Sequence, residues 1–154
     1  MEKLKALTTG SKLVLVAGPL LFLSLFFNWQ TAHVDYGPAG VAKIPEDGWD
    51  VWGLLIGVLT IVTVTLVVLR RLTEVELSDD APWDGITLGL AGATFALAVL
   101  KNLTDAYSTY PSYGFVALAG VMAAGTYLEW ARHRRESSSA LSPRRKRRGV
   151  SSAA

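Results

Sequence analysis

Four long apolar stretches with almost no charge inside them constrain the fold of this chain more than any other feature. They cover approximately residues 13–29, 51–69, 84–100 and 113–131. A bilayer hydrocarbon core of about 30 Å is crossed by about 20 helical residues, with a usual range of about 17–25. None of the stretches carries Lys, Arg or His at mid-depth. The sequence therefore predicts an all-α membrane protein, folded as a bundle of four transmembrane helices.

Domain organisation follows from the length of chain that these stretches leave over. The chain has 154 residues, and the loops between the stretches are too short for a second folded domain. We expect one transmembrane domain over residues 1–135, followed by a tail over residues 136–154. The tail is rich in Ser and Arg and has no pattern for burial. That composition predicts a disordered, basic tail.

The distribution of positive charge predicts the orientation in the membrane. With four spans, 13 of the 15 Lys and Arg residues fall on the side that holds both termini. Only Lys43 and Lys101 fall on the other side. Because loops rich in Lys and Arg stay in the cytoplasm, we expect a multi-pass protein of the cell membrane with both termini cytoplasmic. Residues 29–50 and 101–112 are then outside.

Small residues spaced four positions apart predict close helix packing, because they let two backbones approach. The pattern is strongest in the third stretch, which predicts that this span lies in the centre with the second and fourth spans against it. The partner helix can belong to this chain or to another. The predicted packing residues are Gly53, Gly57, Gly85, Gly89, Gly92, Ala93, Gly120 and Ala124.

Aromatic and basic residues near the ends of the stretches predict contacts with lipid headgroups. Five tryptophans are expected to act as interface anchors: Trp29, Trp49, Trp52, Trp83 and Trp130. Five consecutive cations of the tail are expected to contact anionic lipid, each contributing about 1 kcal/mol at the surface. These are Arg144, Arg145, Lys146, Arg147 and Arg148. No aromatic residue interleaves them, which disfavours nucleic acid as a partner.

Three local patterns give finer expectations. Asp50 and Asp84 each open an apolar stretch, and both are predicted helix N-caps. Turn residues in the first outer loop flank two segments, 32–36 and 40–44, that can pair as short strands. Near the end of the fourth stretch, Glu129 is expected to point toward the headgroups or to pair with the basic residues that follow it.

Residue types that the chain lacks exclude several kinds of chemistry. There is no Cys and there are only two His, at positions 33 and 133. Disulfides, thiol redox chemistry and cysteine-type zinc sites are therefore excluded. A haem between helices has no imidazole ligand at depth, and we expect no cofactor. The absence of ionisable residues at mid-depth argues against a proton-driven transporter made by this chain alone.

Two short motifs carry a resemblance to a known group of proteins. Phe26-Phe27-Asn28-Trp29 closes the first stretch, and Gly48-Trp49-Asp50-Val51-Trp52-Gly53 opens the second. With the Ala/Gly/Val-rich composition and basic tail, the chain resembles uncharacterised small four-span integral membrane proteins of high-GC Gram-positive, actinobacterial-type bacteria. The resemblance covers the whole topology. It implies a bacterial plasma membrane and carries over no catalytic residue.

Two functions fit these observations, and a third has weaker support. The first is a non-enzymatic accessory, assembly or scaffold subunit of a larger membrane protein complex. The second is a homo-oligomeric pore, channel or holin-like protein, with a polar path lined by Thr60, Thr63, Thr87 and Thr94. The third is an enzyme or metal site on the outer face, where one histidine lies among scattered acids. Its candidate residues are His33, Asp35, Glu46, Asp47 and Asp50.

Overall fold

The computed structural model of the protein describes residues 7–73, 81–104 and 110–141, apart from the side chains of residues 39, 46, 140 and 141. These residues form four α-helices: α1 (Thr9–Ser24), α2 (Val51–Leu72), α3 (Trp83–Thr104) and α4 (Tyr110–Leu141). Between α1 and α2, strands β1 (Asn28–Asp35) and β2 (Val41–Asp47) pair antiparallel. Together with a short 3₁₀ helix at Gly37–Ala39, helices make up 77% of the described residues. The predicted helical fold is confirmed, with one β-hairpin added to it.

The four helices form a ring in which each helix packs against two neighbours. α1 contacts α2, α2 contacts α3, α3 contacts α4, and α4 returns to contact α1. The prediction that the third span lies in the centre is therefore wrong, whereas the predicted packing of the second and fourth spans against it is confirmed. The apolar core runs along the inside of the ring and contains Val14, Leu21, Ile56, Ala91 and Met122.

Three of the helices, α2, α3 and α4, are long and apolar enough to cross a membrane. At most a third of the residues in their most apolar windows are buried inside the bundle. On α2, for example, Leu54, Val58 and Ile61 are all exposed. Extended apolar surface of this kind is uncommon on soluble monomers and marks contact with a membrane or a partner. The structure thus has the surface expected of a membrane protein.

The first apolar stretch does not form the helix that was expected from its length. α1 ends at Ser24, five residues before the predicted boundary at Trp29. There the chain leaves the helix through tight turns, in which Leu25, Phe26 and Phe27 each donate to the carbonyl three residues back. At about 1.5 Å per residue, α1 is about 24 Å long. Its helical part alone is shorter than the hydrocarbon core of about 30 Å.

The hairpin after α1 confirms the predicted strand pair and extends it. In the register, Asn28 lies opposite Asp47 and Gln30 opposite Glu46, which leaves Trp29 as an extra residue on β1. Such a bulge redirects a side chain. The loop between the strands contains Gly37 and Gly40 at φ of 64° and 99°, a conformation that residues with a Cβ rarely adopt.

The fourth helix is longer than predicted. α4 runs through 32 residues to Leu141, so its last six residues, 136–141, fall within the segment that was predicted as the tail. An ion pair one turn apart, Arg132 Nε to Glu136 Oε1 at 2.9 Å, accompanies this extension. Residues 142–154, which include the five predicted lipid-contacting cations at positions 144–148, lie outside the described residues.

Candidate functional site: polar clusters at the two ends of the bundle

Polar side chains from all four helices meet at the end of the bundle where α1 begins. We call this group the basic-end cluster: Ser11, Arg70, Arg71, Asp84 and Glu129. Arg70 Nη1 lies 2.5 Å from Asp84 Oδ1, and Arg71 Nη2 lies 2.7 Å from Glu129 Oε2. Both carboxylate side chains are only 12% exposed. The two ion pairs therefore join α2 to α3 and α2 to α4 in a largely desolvated setting.

Glu129 of α4 also caps the amino-terminal end of α1. Its Oε1 accepts a hydrogen bond from the backbone N–H of Ser11 at 3.0 Å and another from the hydroxyl of Thr8. The first N–H groups of a helix have no partner within the helix, and negative charge is stabilised at that end of the dipole. The expectation that Glu129 pairs with the following residues of its own helix is therefore wrong. It instead joins α4 to α1.

Two glycines make this cross-helix cap sterically feasible. A Cβ on Gly10 would lie 2.5 Å from the carbonyl oxygen of Gly125 and 2.7 Å from Glu129 Oε1. In return, a Cβ on Gly125 would lie 2.8 Å from the carbonyl oxygen of Gly10. Among the described glycines, the closest approach between the backbones of two helices is thus that of α1 and α4. The spacing analysis did not include Gly10, which lies just before the first apolar stretch, or Gly125, which lies within the fourth.

Asp84 does not have the capping role that was predicted for it. α3 begins one residue earlier, at Trp83, so Asp84 lies inside the first turn. Its carboxylate is turned toward Arg70 and also lies 3.9 Å from Nδ1 of His133. Behind it, the cluster encloses a cavity of about 20 Å³ that Ser11 and Thr126 also line. That volume is enough for about one water molecule.

A second cluster, the Lys101 clasp, lies at the opposite end and consists of Trp29, Asp50 and Lys101. Lys101 Nζ lies 2.6 Å from Asp50 Oδ2, and its side chain is 1% exposed, whereas that of Asp50 is 41% exposed. The same nitrogen lies 5.2 Å from the centre of the Trp29 ring, within cation–π range. Lys101 was expected in an outer loop. It instead lies buried within α3, in the last turn of the helix.

Asp50 also confirms the predicted cap of α2. Its Oδ1 accepts from the backbone N–H of Gly53 at 2.7 Å, and Oδ2 is left for Lys101. A Cβ on Gly53 would lie 1.6 Å from the carbonyl oxygen of Gly48. This glycine therefore serves the tight entry into α2 rather than contact between helices.

The predicted membrane anchor Trp29 lies inside the bundle. It is fully buried, its ring centre is 3.9 Å from that of Phe115, and its Nε1 donates to the carbonyl of Ser24 at 3.0 Å. The β-bulge at Trp29 gives the physical reason. Trp49 and Trp52 are exposed near the hairpin end, whereas Trp83 and Trp130 are half-buried at the basic end. These four remain in positions that suit interface anchors.

Most of the predicted packing residues do not contact another helix of this chain. A Cβ on Gly85, Gly89 or Gly92 would meet nothing within 4 Å, and Ala93 and Ala124 are exposed. Two of the set do pack within the chain: Gly57 against Leu25, and Gly120 against Phe95, with Cβ distances of 3.1 and 3.4 Å. The small-residue side of α3 is therefore on the outer surface of the bundle. We call Gly85, Gly89, Gly92 and Ala93 the α3 outer face.

The four threonines proposed for a polar path are buried inside the ring. Thr60 and Thr63 donate to the carbonyls of Ile56 and Leu59 at 2.8 and 2.7 Å. Each acceptor lies four residues back in the same helix. The hydroxyls of Thr87 and Thr94 do the same in α3, at 2.8 and 2.9 Å. Their donors are satisfied locally, a common arrangement for hydroxyls in apolar helices.

Among the described residues, the acids of the outer loop do not form a cluster with His33 that could hold a metal ion. Asp35 accepts from the N–H of Gly37 and Asp47 from that of Trp49, both two residues ahead. His33 lies opposite Lys43 in the hairpin. The side chain of Glu46 lies outside the described residues. In the part of the chain that the structure describes, no group of three or more His, Asp or Glu could hold a metal ion.

No protein family, curated protein or solved structure matches the chain at a significant level. Function must therefore be argued from the clusters and surfaces described above.

Proposed function

We propose that the chain crosses the membrane four times, with both termini in the cytoplasm. The three helices that are long and apolar enough to cross a membrane support a protein with several spans. For α1, the apolar stretch continues past the helix end, and two of its non-helical residues, Leu25 and Trp29, are fully buried. Backbone without helical bonds is tolerated at membrane depth where protein covers it. The segment from α1 to Trp29 can in this way complete the crossing.

Charge supports the orientation more strongly than the sequence count alone. Of the two cations assigned to the outer side, Lys101 is buried against Asp50. Only Lys43, which is exposed, then presents positive charge there among the described residues. At the basic end, by contrast, Arg132, Arg134 and Arg135 are all exposed on α4. Exposed positive charge is concentrated at one end, as the rule for cytoplasmic flanks requires.

Within that membrane topology, the protein serves as a non-enzymatic accessory or scaffold subunit. The observation that carries this function is the α3 outer face, where four small residues leave a helix surface without an intrachain partner. Lipid tails fill such a groove poorly, whereas a second helix can approach closely and gain van der Waals contacts. The occupant is a transmembrane helix of a different protein.

Charge disfavours a second copy as the occupant of the α3 outer face. Two copies in the same orientation would bring together two α4 extensions and tails, each with eight Lys and Arg residues between positions 132 and 148. Like charges placed side by side oppose association. A different subunit without such a tail avoids that repulsion.

The pore alternative receives less support from the interior of the bundle. The four threonines that would line a path donate to carbonyls of their own helices. A conducting path would have to form between copies of the chain. Conductance in reconstituted vesicles that Thr60→Val alters would favour this alternative, while silent bilayers containing correctly inserted protein would count against it.

The test of the accessory function compares two Gly→Leu variants. Gly89→Leu fills the α3 outer face, and Gly114→Leu is the matched control, because a Cβ at either position meets nothing within 4 Å. The protein is solubilised gently, and its native mass and co-purifying chains are measured. We expect wild type and Gly114→Leu to retain the same partner in fixed stoichiometry and Gly89→Leu to lose it.

Retention of the partner by Gly89→Leu would contradict the assignment of the α3 outer face. A photo-crosslinking residue at position 89 gives an independent result. A crosslink to a different chain supports the accessory function, whereas a crosslink to a second copy overturns it and favours the homo-oligomer. Gly120→Leu is unsuitable for this test, because it would disturb Phe95 of α3, which packs against Gly120 within the chain.

A further inference from the structure

A cavity of about 400 Å³ opens beside the basic-end cluster, between the start of α3 and the part of α4 that follows Glu129. We call it the side pocket. Its lining includes three basic side chains, two tryptophans and one carboxylate: Arg70, His133, Arg134, Trp83, Trp130 and Asp84. It differs from the small internal cavity of the cluster, with which it shares only Arg70 and Asp84.

The donors of the side pocket suit an anion with several oxygens. The Cζ atom of Arg134 lies 4.2 Å from the centre of the Trp130 ring, and this stacking holds a planar donor group at the pocket wall. Arg70 uses Nη1 for Asp84, but a guanidinium carries five N–H donors. Arginine donors match phosphate geometry better than a point charge does.

Asp84 is the one carboxylate in the described lining, and its charge is already compensated. Arg70 lies 2.5 Å from its Oδ1, and Nδ1 of His133 lies 3.9 Å from its Oδ2. Two arginines and one aspartate therefore line the described part of the pocket. The balance of charge favours an anionic ligand over a cationic one.

The position of the side pocket indicates where such an anion comes from. Trp83 begins α3, and Trp130 lies where α4 changes from apolar residues to the basic run that starts at Arg132. Tryptophans at such a boundary lie at headgroup level, and basic pockets between helices on the cytoplasmic side bind anionic headgroups. From this we infer that the side pocket binds a phosphate group, carried by an anionic phospholipid of the cytoplasmic leaflet.

This inference rests on the proposed membrane topology and is independent of the accessory role. The shared chemistry is a phosphate anion, which a lipid headgroup or free phosphate in solution can supply. The tail cations at 144–148 lie outside the described residues, and they are still present in every variant used below.

The experiment compares Arg134→Gln with Arg135→Gln in the full-length protein. Both remove one exposed cation from α4, but Arg135 lies outside the lining of the pocket. Purified protein is titrated with phosphatidylglycerol, with phosphatidylcholine or with inorganic phosphate, and bound molecules are counted by native mass spectrometry. Because the full chain is used, any charge that residues 74–80 contribute is included in each measured affinity.

We expect Arg134→Gln to weaken phosphatidylglycerol binding about tenfold, the size of one lost charge-assisted contact, and Arg135→Gln to leave it unchanged. Equal effects of the two variants, or equal binding of phosphatidylcholine, would overturn the inference. Saturable binding of inorganic phosphate that only Arg134→Gln abolishes would keep the phosphate site but assign it to a soluble ligand. Failure of Gly89→Leu to release a partner would leave this result unaffected.

Discussion

The two ends of the bundle bury charges of opposite sign. At the basic end the carboxylates of Asp84 and Glu129 are 12% exposed, while their partners Arg70 and Arg71 are 24% and 37% exposed. At the hairpin end the order reverses, because Lys101 is 1% exposed and Asp50 is 41% exposed. The exposed member of the ion pairs is therefore a cation at the basic end and an anion at the hairpin end.

This reversal shows that an ion pair can serve both packing and orientation. The buried member joins helices, and the exposed member sets the charge of the surface on that side. The two ends also differ in how deeply the buried charge lies. The side chain of Glu129 is 12% exposed and accepts from Thr8, Ser11 and Arg71, whereas that of Lys101 is 1% exposed and pairs with Asp50. Because a more deeply buried charge is less able to regain water when a partner is removed, we expect the Lys101 clasp to be more sensitive to loss of Asp50.

The largest effect is expected from Asp50→Asn. The amide oxygen can still cap α2, but the buried Lys101 ammonium loses the negative charge of Asp50 at 2.6 Å, and breaking a buried pair in this way costs about 3 kcal/mol. Lys101→Met removes the same ion pair from the other side and leaves a half-exposed aspartate, so we expect a change within about 1 kcal/mol. Unfolding by SDS titration in mixed micelles measures both.

The double variant Asp50→Asn with Lys101→Met completes a double-mutant cycle for this ion pair. Its free energy of unfolding should recover most of the loss caused by Asp50→Asn alone. Equal losses for the two single variants would mean that Lys101 is solvated in the protein. The contrast between the two ends would then be lost.

The next effect concerns the close approach that brings Glu129 to α1. Gly125→Ala places a methyl group 2.8 Å from the carbonyl oxygen of Gly10, and overpacking of this kind costs about 1–3 kcal/mol. Gly114→Ala is the control, since the added methyl group meets open space and alanine is favoured in a helix by up to about 1 kcal/mol. Thermal unfolding in detergent should show a lower midpoint temperature for Gly125→Ala and a higher one for Gly114→Ala. A neutral Gly125→Ala would argue against the cross-helix cap.

The smallest effects are expected from two ion pairs at the basic end: the mostly buried carboxylate of Glu129 has other donors besides Arg71, whereas Arg132 and Glu136 form an exposed pair. Arg71→Met leaves Glu129 mostly buried but still bonded to Ser11 and Thr8, so we expect a loss of about 1 kcal/mol. Arg132→Met removes a pair whose side chains are 61% and 62% exposed, and such surface pairs contribute at most about 0.5 kcal/mol. The same SDS titration compares them. A larger loss for Arg132→Met would reverse the predicted order.

Features with local causes could be predicted from the sequence. The start of α2 at Val51 and its Asp50 cap were correct, because a capping residue and the apolar run beside it are read from adjacent positions. The strand pair was also found from its turn residues. Helix lengths were less well predicted. α1 ends at Ser24 because tight turns follow it and the indole of Trp29 donates to the carbonyl of Ser24.

Features that depend on contacts between distant residues could not be predicted. Glu129 reaches Ser11 across 118 positions of sequence, and Lys101 reaches Asp50 across 51. For a lone ionisable residue near a helix end, sequence alone does not separate a surface position from a buried pair. Likewise, the spacing of small residues in α3 identified a face but not its partner, and within this chain that face is open.

The four-span topology is tested most directly by labelling single cysteines, because the chain contains no cysteine of its own. Thr9→Cys, Tyr36→Cys and Ser137→Cys place a thiol at the start of α1, in the hairpin loop and on the α4 extension, at positions that are all exposed. With four spans, a membrane-impermeant maleimide added to intact spheroplasts labels Tyr36→Cys alone and the other two only after permeabilisation. Labelling of Thr9→Cys together with Tyr36→Cys would show that α1 does not cross the membrane and would contradict this topology.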